Sequence, residues 1–210
     1  MPLSIAEGLP CQHTTWGGQF ADPCGWRGWV VGWLMALKNR ERSEWVLSLL
    51  DLRPGARVLE IGYGPGADVA RVLRAADGIT VAGLDRSAVM RQLASRRNAG
   101  AVQDGRADLR VGEAGSLPFG ENEFDSAFSI NCAQFWPDPL AAATEIRRVL
   151  KPGGYAVIAL QPRNRGATRE TIARTGEWLA ATLTAAGFHE VYQRTHPMKP
   201  VPAVCALAAK

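Results

Sequence analysis

Groups that do acid–base or redox chemistry are scarce in this chain of 210 residues, which has 3 histidines and 4 cysteines. Cys11, Cys24, Cys132 and Cys205 form no CxxC pair and keep no regular spacing, so neither a zinc framework nor a dithiol motif is expected. Cys132 and Cys205 lie in apolar runs, which favours reduced, buried thiols and a cytoplasmic compartment. Cys11, His13 and Cys24 fit no common zinc pattern, and no metal is expected. Long hydrophobic runs are missing too. The run Gly28–Leu37, flanked by Arg27 and Lys38, is half the length that a membrane span of about 20 residues needs. No basic start followed by an apolar core opens the sequence, so no secretory leader and no stable membrane insertion are expected. Lys plus Arg exceed Asp plus Glu by 24 − 20 = 4, and arginines such as Arg71, Arg74, Arg91, Arg96, Arg97, Arg147 and Arg148 are scattered. Without a basic block interleaved with aromatics, nucleic-acid binding is not expected. No internal repeat, low-complexity tract or linker breaks the chain, and its 47% hydrophobic and 21% charged residues suit one globular domain.

What the sequence does have is a strand, a glycine loop and a helix in succession. Val58, Leu59 and Ile61 form an apolar run of strand length after the turn Arg53-Pro54-Gly55. The run stops in Gly62-Tyr63-Gly64-Pro65-Gly66, and Ala67 to Leu73 continue at helical spacing, the start of a βαβ unit. Glycines bring no Cβ, so a ligand can approach the backbone closely, and the helix start favours an anion. Gly62-x-Gly64-x-x-Ala67 with Asp85 some 20 positions on satisfies a loose dinucleotide fingerprint. Glu60 tilts the choice. A carboxylate beside a pyrophosphate is electrostatically unfavourable, whereas beside an ammonium or a sulfonium it is welcome.

At Glu60-Ile61-Gly62-Tyr63-Gly64-Pro65-Gly66 the chain resembles the first motif of class I S-adenosylmethionine-dependent methyltransferases. Further matches follow in the family's order: Gly83-Leu84-Asp85, Gly112-Glu113-Ala114 with Leu117-Pro118-Phe119, Phe124-Asp125, and Arg148 to Gly154. They span roughly residues 50 to 160, and the combination is specific although each piece alone is not. Two positions depart from the pattern. Glu113 stands where many relatives carry Asp, and Gln134 stands where relatives often place His.

The pattern of elements is that of an α/β protein. Trp26 to Leu50 reads as helical, with Asn39 to Leu50 amphipathic and expected to pack on the sheet. Helices are then expected over Gly66–Ala75, Ser87–Ala99 with Ser87 as N-cap, Pro139–Leu150 and Thr171–Ala186. Strands are expected at Ile79–Leu84, Leu109–Gly112, Phe124–Ile130, Tyr155–Leu160, Glu190–Arg194 and Val201–Ala208, with Lys151-Pro152-Gly153-Gly154 as a helix stop. This order implies a three-layer sandwich around a mostly parallel sheet with an antiparallel terminal pair. The resemblance implies a Rossmann-like sheet of seven strands in the order 3-2-1-4-5-7-6. Residues 1–50 are read as an N-terminal arm and helical lid, and 51–210 as the core. Four of the seven tryptophans (Trp16, Trp26, Trp29 and Trp33) fall in the arm, where they either pack on the core or cover the site.

Ligands of open α/β sheets sit beyond the carboxyl ends of the strands. The resemblance therefore implies S-adenosylmethionine held by Glu60, Gly62, Tyr63, Gly64, Gly66, Asp85, Arg86, Glu113, Ala114 and Asn131. Asp85 is either a cap for the helix at Ser87 or the acceptor for both ribose hydroxyls. Glu113 is either a solvated turn residue or the acceptor for the adenine amino group, and Asn131 either a strand-ending Asx turn or a wall of the transfer pocket. Asp125, a strand-start acid, is expected to serve the backbone. A small-molecule acceptor is expected against Trp16, Phe20, Trp26, Phe135 and Gln161, with Asn131 and Gln134 nearest the chemistry. Attack on the sulfonium methyl is in line and needs mainly proximity and desolvation. A base is required only for a hydroxyl or protonated amine, and none stands out, since His13 lies in the arm and His189 and His196 in the terminal strands. Three alternatives remain: an NAD(P)-dependent Rossmann oxidoreductase, disfavoured by Glu60 and the lack of a Tyr-x-x-x-Lys pair; a phospholipid- or lipid-directed methyltransferase; and a binding module without activity. A homodimer is compatible with all of them.

Overall fold

The computed structural model describes residues 40–162 and 166–210. Helix α1 (Arg40–Ser48) leads into strand β1 (Arg57–Ile61), helix α2 (Ala67–Val72), strand β2 (Thr80–Asp85) and helix α3 (Ala88–Arg97). A short helix α4 (Ala99–Gln103), strands β3 (Ala107–Val111) and β4 (Phe124–Ile130) and a 3-10 turn at Ala133–Phe135 follow. Helix α5 (Pro139–Val149), strand β5 (Leu150–Leu160), helix α6 (Arg169–Ala185) and the strands β6 (His189–His196) and β7 (Ala203–Ala209) complete the chain. The seven strands form one sheet in the order β3-β2-β1-β4-β5-β7-β6, as the resemblance implied. β3, β2, β1, β4 and β5 run parallel, and β7 is antiparallel to both β5 and β6.

Strands of the parallel part are apolar on both faces because helices cover both faces. Side chains alternate across β1, so Val58 packs with Val46, Val69, Val72, Met90 and Phe128 on the side of α1–α4. Leu59 and Ile61 pack with Phe124, Ile146, Leu150 and Leu183 on the side of α5 and α6. Burying each such side chain contributes about 1.5–3 kcal/mol. The register places Glu60 opposite Gly83 on one side and Phe128 on the other, in the middle of the sheet.

Helices α3 and α5 start where the sequence places them, and α6 starts two residues earlier than expected, at Arg169. Ser87 caps α3 by accepting from Met90 N at 3.4 Å, and Asp138 caps α5 by accepting from Ala141 N at 2.9 Å with Pro139 at the first position. α3 ends at Arg97 because the Asn98 amide donates to the carbonyls of Ala94 and Gly66, and α4 follows where no separate helix was expected. At Lys151-Pro152-Gly153-Gly154 the stop is tighter than expected: α5 ends at Val149 and β5 begins at once at Leu150. Phe124 pairs with Leu150 and Ser126 with Tyr155, so these four residues bulge out of the ladder instead of separating helix from strand. A Cβ on Gly154 would stand 2.9 Å from the Lys151 carbonyl and 3.0 Å from that of Asp125, so only glycine fits. Asp125 accepts from Arg57 N and from the Lys151 ammonium at 2.8 Å each, the structural role expected of it.

α1 packs through Val46, as amphipathicity implied, but Arg42 and Ser43 are equally buried. Trp45 stacks on His196, ring centroids 5.3 Å apart, and the His196 ring lies 3.5 Å from a Glu41 oxygen. The remainder of the expected Trp26–Leu50 helix before residue 40, the run Gly28–Leu37 and the N-terminal tryptophans lie outside the described residues. Among the described residues no helix is long and apolar enough to cross a membrane.

Candidate functional site

The three glycines of the loop after β1 have positive φ for three different reasons. At Gly62 (φ +80°) the N–H donates to the Leu84 carbonyl at 2.7 Å, and a Cβ would stand 2.5 Å from the Cys132 sulfur. At Gly66 (φ +73°) a Cβ would stand 2.7 Å from both Ala94 Cβ and Asn98 Nδ2, so glycine lets α2 start against α3. Gly64 (φ +51°) donates to Asp85 Oδ2 at 2.8 Å, and no atom lies within 4 Å of where its Cβ would be. That open side is where another molecule can meet the backbone. Tyr63 points inward instead: its hydroxyl donates to the Arg110 carbonyl at 3.0 Å and its ring fills the space a side chain at Gly83 would need.

The ground beneath the loop is acidic. Glu60 is 3% exposed, and its Oε2 has no hydrogen-bond partner. Burial pushes its carboxyl well above the ordinary carboxylate range, and the charges of Asp68 and Asp85 push the same way, against Arg71 and the Val69 N–H. Asp68 accepts from Ser43 Oγ at 2.8 Å and pairs with Arg71. Asp85 accepts from Ser87 N at 2.9 Å through its other oxygen, so both oxygens brace backbone. The contact to Ser87 N is the one that the cap reading of Asp85 expects. Arg86 and Glu113 are exposed beside this acid, and Ala114 is buried below Glu113.

Across the strand ends lies the turn after β4. Asn131 (φ +53°) donates its N–H to the Ala159 carbonyl at 2.8 Å, accepts the Gln161 N–H on Oδ1 at 2.8 Å, and accepts on its carbonyl from Gln134 Nε2 at 3.0 Å. Gln134 is exposed and Phe135 half-buried beside it. Burial and the nearby Asp85 push the Cys132 thiol up to about 12, against the side chains of Trp136 and Ser129 and the charge of Arg86. No side chain of this turn titrates near neutrality. Gln161, expected against the acceptor, is 4% exposed. Its Oε1 accepts from Arg42 Nη1 at 2.6 Å, and its Nε2 donates to the carbonyls of Lys199 at 3.1 Å and Val201 at 2.7 Å. An acceptor could reach that amide only by displacing one of these partners. Trp16, Phe20 and Trp26 lie outside the described residues.

Sequence reasoning passed over Arg42, Ser43, Asp68 and Asn98, all of which shape the site. Asp68 was open to discovery as an acid in the first turn after the glycines; the others carried no local signal. Among the described residues no group of three or more His, Cys, Asp or Glu side chains could hold a metal.

A parallel sheet with a glycine loop at its switch point defines a nucleotide-type crevice. A buried carboxyl oxygen without a hydrogen-bond partner, with two further acids below that loop, suits a cationic ligand. Comparison with known proteins agrees. Residues 59–158 match the family described as "Methyltransferase domain". The chain is 32% identical over 181 residues to "Uncharacterized methyltransferase YdaC" of Bacillus subtilis, covering 86% of this chain and 98% of that protein. It is 35% identical over 119 residues to "24-methylenesterol C-methyltransferase 2" of Oryza sativa, covering 57% of this chain and 32% of that one. Thus it spans about a third of the sterol enzyme's length. Among solved structures, a SAM-dependent methyltransferase from Aquifex aeolicus shares the fold, with TM-score 0.64 and 22% identity over 80% of this chain and 88% of that one. The chain belongs to the class I S-adenosylmethionine-dependent methyltransferases, and S-adenosylmethionine is its cofactor. The site fits that cofactor: the Glu60 oxygen lacks a donor, and Gly64 offers an open backbone.

Proposed function

We propose that this methyltransferase acts on a small-molecule acceptor, and that it works by placing the reactants and excluding water, without a protein base. In this reading Glu60 and the backbone of Gly62, Gly64 and Gly66 hold the amino-acid end of the cofactor. Asp85 takes the ribose, and Glu113, with Arg86 and Ala114 beside it, takes the adenine. Bound there, S-adenosylmethionine supplies an electrophilic methyl on a sulfonium. Asn131, Gln134 and Phe135 face the acceptor, with Gln161 setting Asn131 from behind. The observation that carries the base-free part is the turn from Asn131 to Trp136, which offers amides and aromatic rings and one thiol pushed up to about 12. Proximity and orientation suffice for in-line methyl transfer to an unprotonated nucleophile.

The test is transfer from isotope-labelled S-adenosylmethionine to a panel of amines, phenols, carboxylates and thiols, with kcat followed against pH. The expected result is turnover of a soluble acceptor whose pH profile follows the acceptor's own ionisation. A profile that keeps one enzyme pKa near neutrality across different acceptors would overturn the base-free reading. A lipid acceptor is the second reading, favoured by the similarity to the sterol C-methyltransferase. Turnover of sterol or phospholipid in mixed micelles, with none of the soluble panel, would establish it. NADH is the control ligand: it should not raise the melting temperature, whereas S-adenosylhomocysteine should.

A further inference from the structure

Glu60 stands apart from the other acids of the site because the described residues give it so little to ionise against. It lies in the middle of the sheet on β1, flanked by Gly83 of β2 and Phe128 of β4, neither of which carries charge. From α2 it faces Asp68, the Arg71 guanidinium and the Val69 N–H, and from the end of β2 it faces Asp85. The Tyr63 hydroxyl, nearby in the loop, donates away to the Arg110 carbonyl, and Arg91 of α3 lies toward Tyr63. Arg71 is the one cation that acts on Glu60 from these elements, and it is paired with Asp68. From α1, Arg40 pairs with Glu44, Arg42 is held at Gln161, and Ser43 gives its hydroxyl to Asp68. A buried carboxylate among two other acids, with one oxygen unpartnered, is a charge that the described residues do not balance.

We propose that Glu60 carries a proton when no cofactor is bound and releases it to solvent when the ammonium of the cofactor's amino-acid end arrives, so that cofactor binding and proton release are one event. The proposal rests on the placement of that amino-acid end beside Glu60. In the free protein the O–H stays because burial disfavours the charged form, and a third charge beside Asp68 and Asp85 adds to that. On binding, the O–H bond breaks, the proton passes to solvent or buffer, and the carboxylate accepts an N–H of the incoming ammonium. The sign follows from linkage. Binding selects the ionised carboxyl, so affinity rises with pH until Glu60 ionises in the free protein, and is flat above that point. Below it, affinity falls toward about tenfold per pH unit.

The test is titration calorimetry of the full chain with S-adenosylhomocysteine, which keeps the amino-acid end and lacks the reactive methyl. It is run at about pH 6.5, below the range of an α-amino group near 7.7–8.0, in three buffers of different ionisation enthalpy. The slope of observed enthalpy against buffer ionisation enthalpy counts the protons. Net proton release is expected, falling toward zero in Glu60→Gln. 5′-Methylthioadenosine, which keeps adenine and ribose but has no amino-acid end, should release none, and this arm needs no variant to fold. A zero slope for the wild-type chain binding S-adenosylhomocysteine would overturn the proposal. So would equal release with 5′-methylthioadenosine, or undiminished release from a folded Glu60→Gln. Failure of the wild-type chain to bind S-adenosylhomocysteine at all would instead strike the cofactor placement itself, and the proposal with it.

Discussion

Alanine at Gly64 and alanine at Gly66 add the same methyl group to two left-handed residues two positions apart, and the structure predicts opposite consequences. Both substitutions meet a backbone cost of about 1–2 kcal/mol, because an L side chain disfavours this region. At Gly66 a second cost follows. The new Cβ would stand 2.7 Å from Ala94 Cβ and Asn98 Nδ2 and 2.8 Å from Ala94 Cα. Two of these atoms belong to the body of α3, whose Met90 and Ala94 are fully packed, so the helix as a whole must give way. Overpacking of that kind costs about 1–3 kcal/mol, and Gly66→Ala should lose roughly 2–5 kcal/mol of a total near 5–15. Gly64 has nothing within 4 Å of the added atom, so Gly64→Ala should lose only the backbone part. Its methyl instead occupies the open side of the loop where, in the proposed site, the cofactor meets the backbone. A comparable misfit there weakens binding about five- to 150-fold. Urea denaturation of both variants and calorimetric titration with S-adenosylhomocysteine measure the two effects. Equal destabilisation, or wild-type affinity in Gly64→Ala, would refute the division of labour between the two glycines.

What could be read in advance divides by range along the chain. β4 was found at its true ends, and the glycine loop, the Ser87 cap and the role of Asp125 were found because each is written within a few residues. The strand order is a long-range fact and came from resemblance, not from any local pattern. Lys151 to Gly154 was half legible. Proline and two glycines announce that the helix ends, but whether a turn or a bulge follows depends on how Phe124 and Ser126 pair across the sheet. Arg42 and Gln161, 119 positions apart, were beyond such reading: a buried guanidinium is specified by its partner, and the partner looked like a pocket residue. Asp85 was legible as important and not as doubly engaged, since its bond to Gly64 N spans 21 positions and binds the glycine loop to the next strand.

Asp85→Ala removes the acceptor of two backbone N–H groups and, in the proposed site, the ribose contact, and should weaken S-adenosylhomocysteine binding by about 1.5–3 kcal/mol. Unchanged affinity with an intact circular dichroism spectrum would leave the residue a cap alone. The Cys132 thiol, which burial pushes up to about 12, should alkylate far more slowly with iodoacetamide at pH 8 than a free cysteine, as read by peptide mass spectrometry; labelling at the free rate would contradict its placement. Burial works to raise the Asp125 pKa, but the Lys151 ammonium and the Arg57 N–H outweigh it and hold the group below its ordinary range. A depressed folded pKa gives stability that is present above the unfolded value near 3.9 and lost as pH falls through the folded one. Wild type should therefore lose stability more steeply than Asp125→Asn in urea melts below about pH 4, and parallel acid limbs would refute the pairing. The buried pair Arg42–Gln161 gives a prediction of coupling. Gln161→Leu removes a 2.6 Å hydrogen bond from the Arg42 guanidinium and the donors to the Lys199 and Val201 carbonyls, and the charged bond alone should cost about 1.5–3 kcal/mol. Arg42→Met removes the charge, keeps apolar bulk and leaves a neutral oxygen without this donor, which should cost about 1–3 kcal/mol. Once the charge is gone, loss of its acceptor matters less, so the double variant should be more stable than the sum of the singles by at least about 0.5 kcal/mol. Strict additivity in that cycle would mean that the bond between Arg42 and Gln161 contributes nothing of its own.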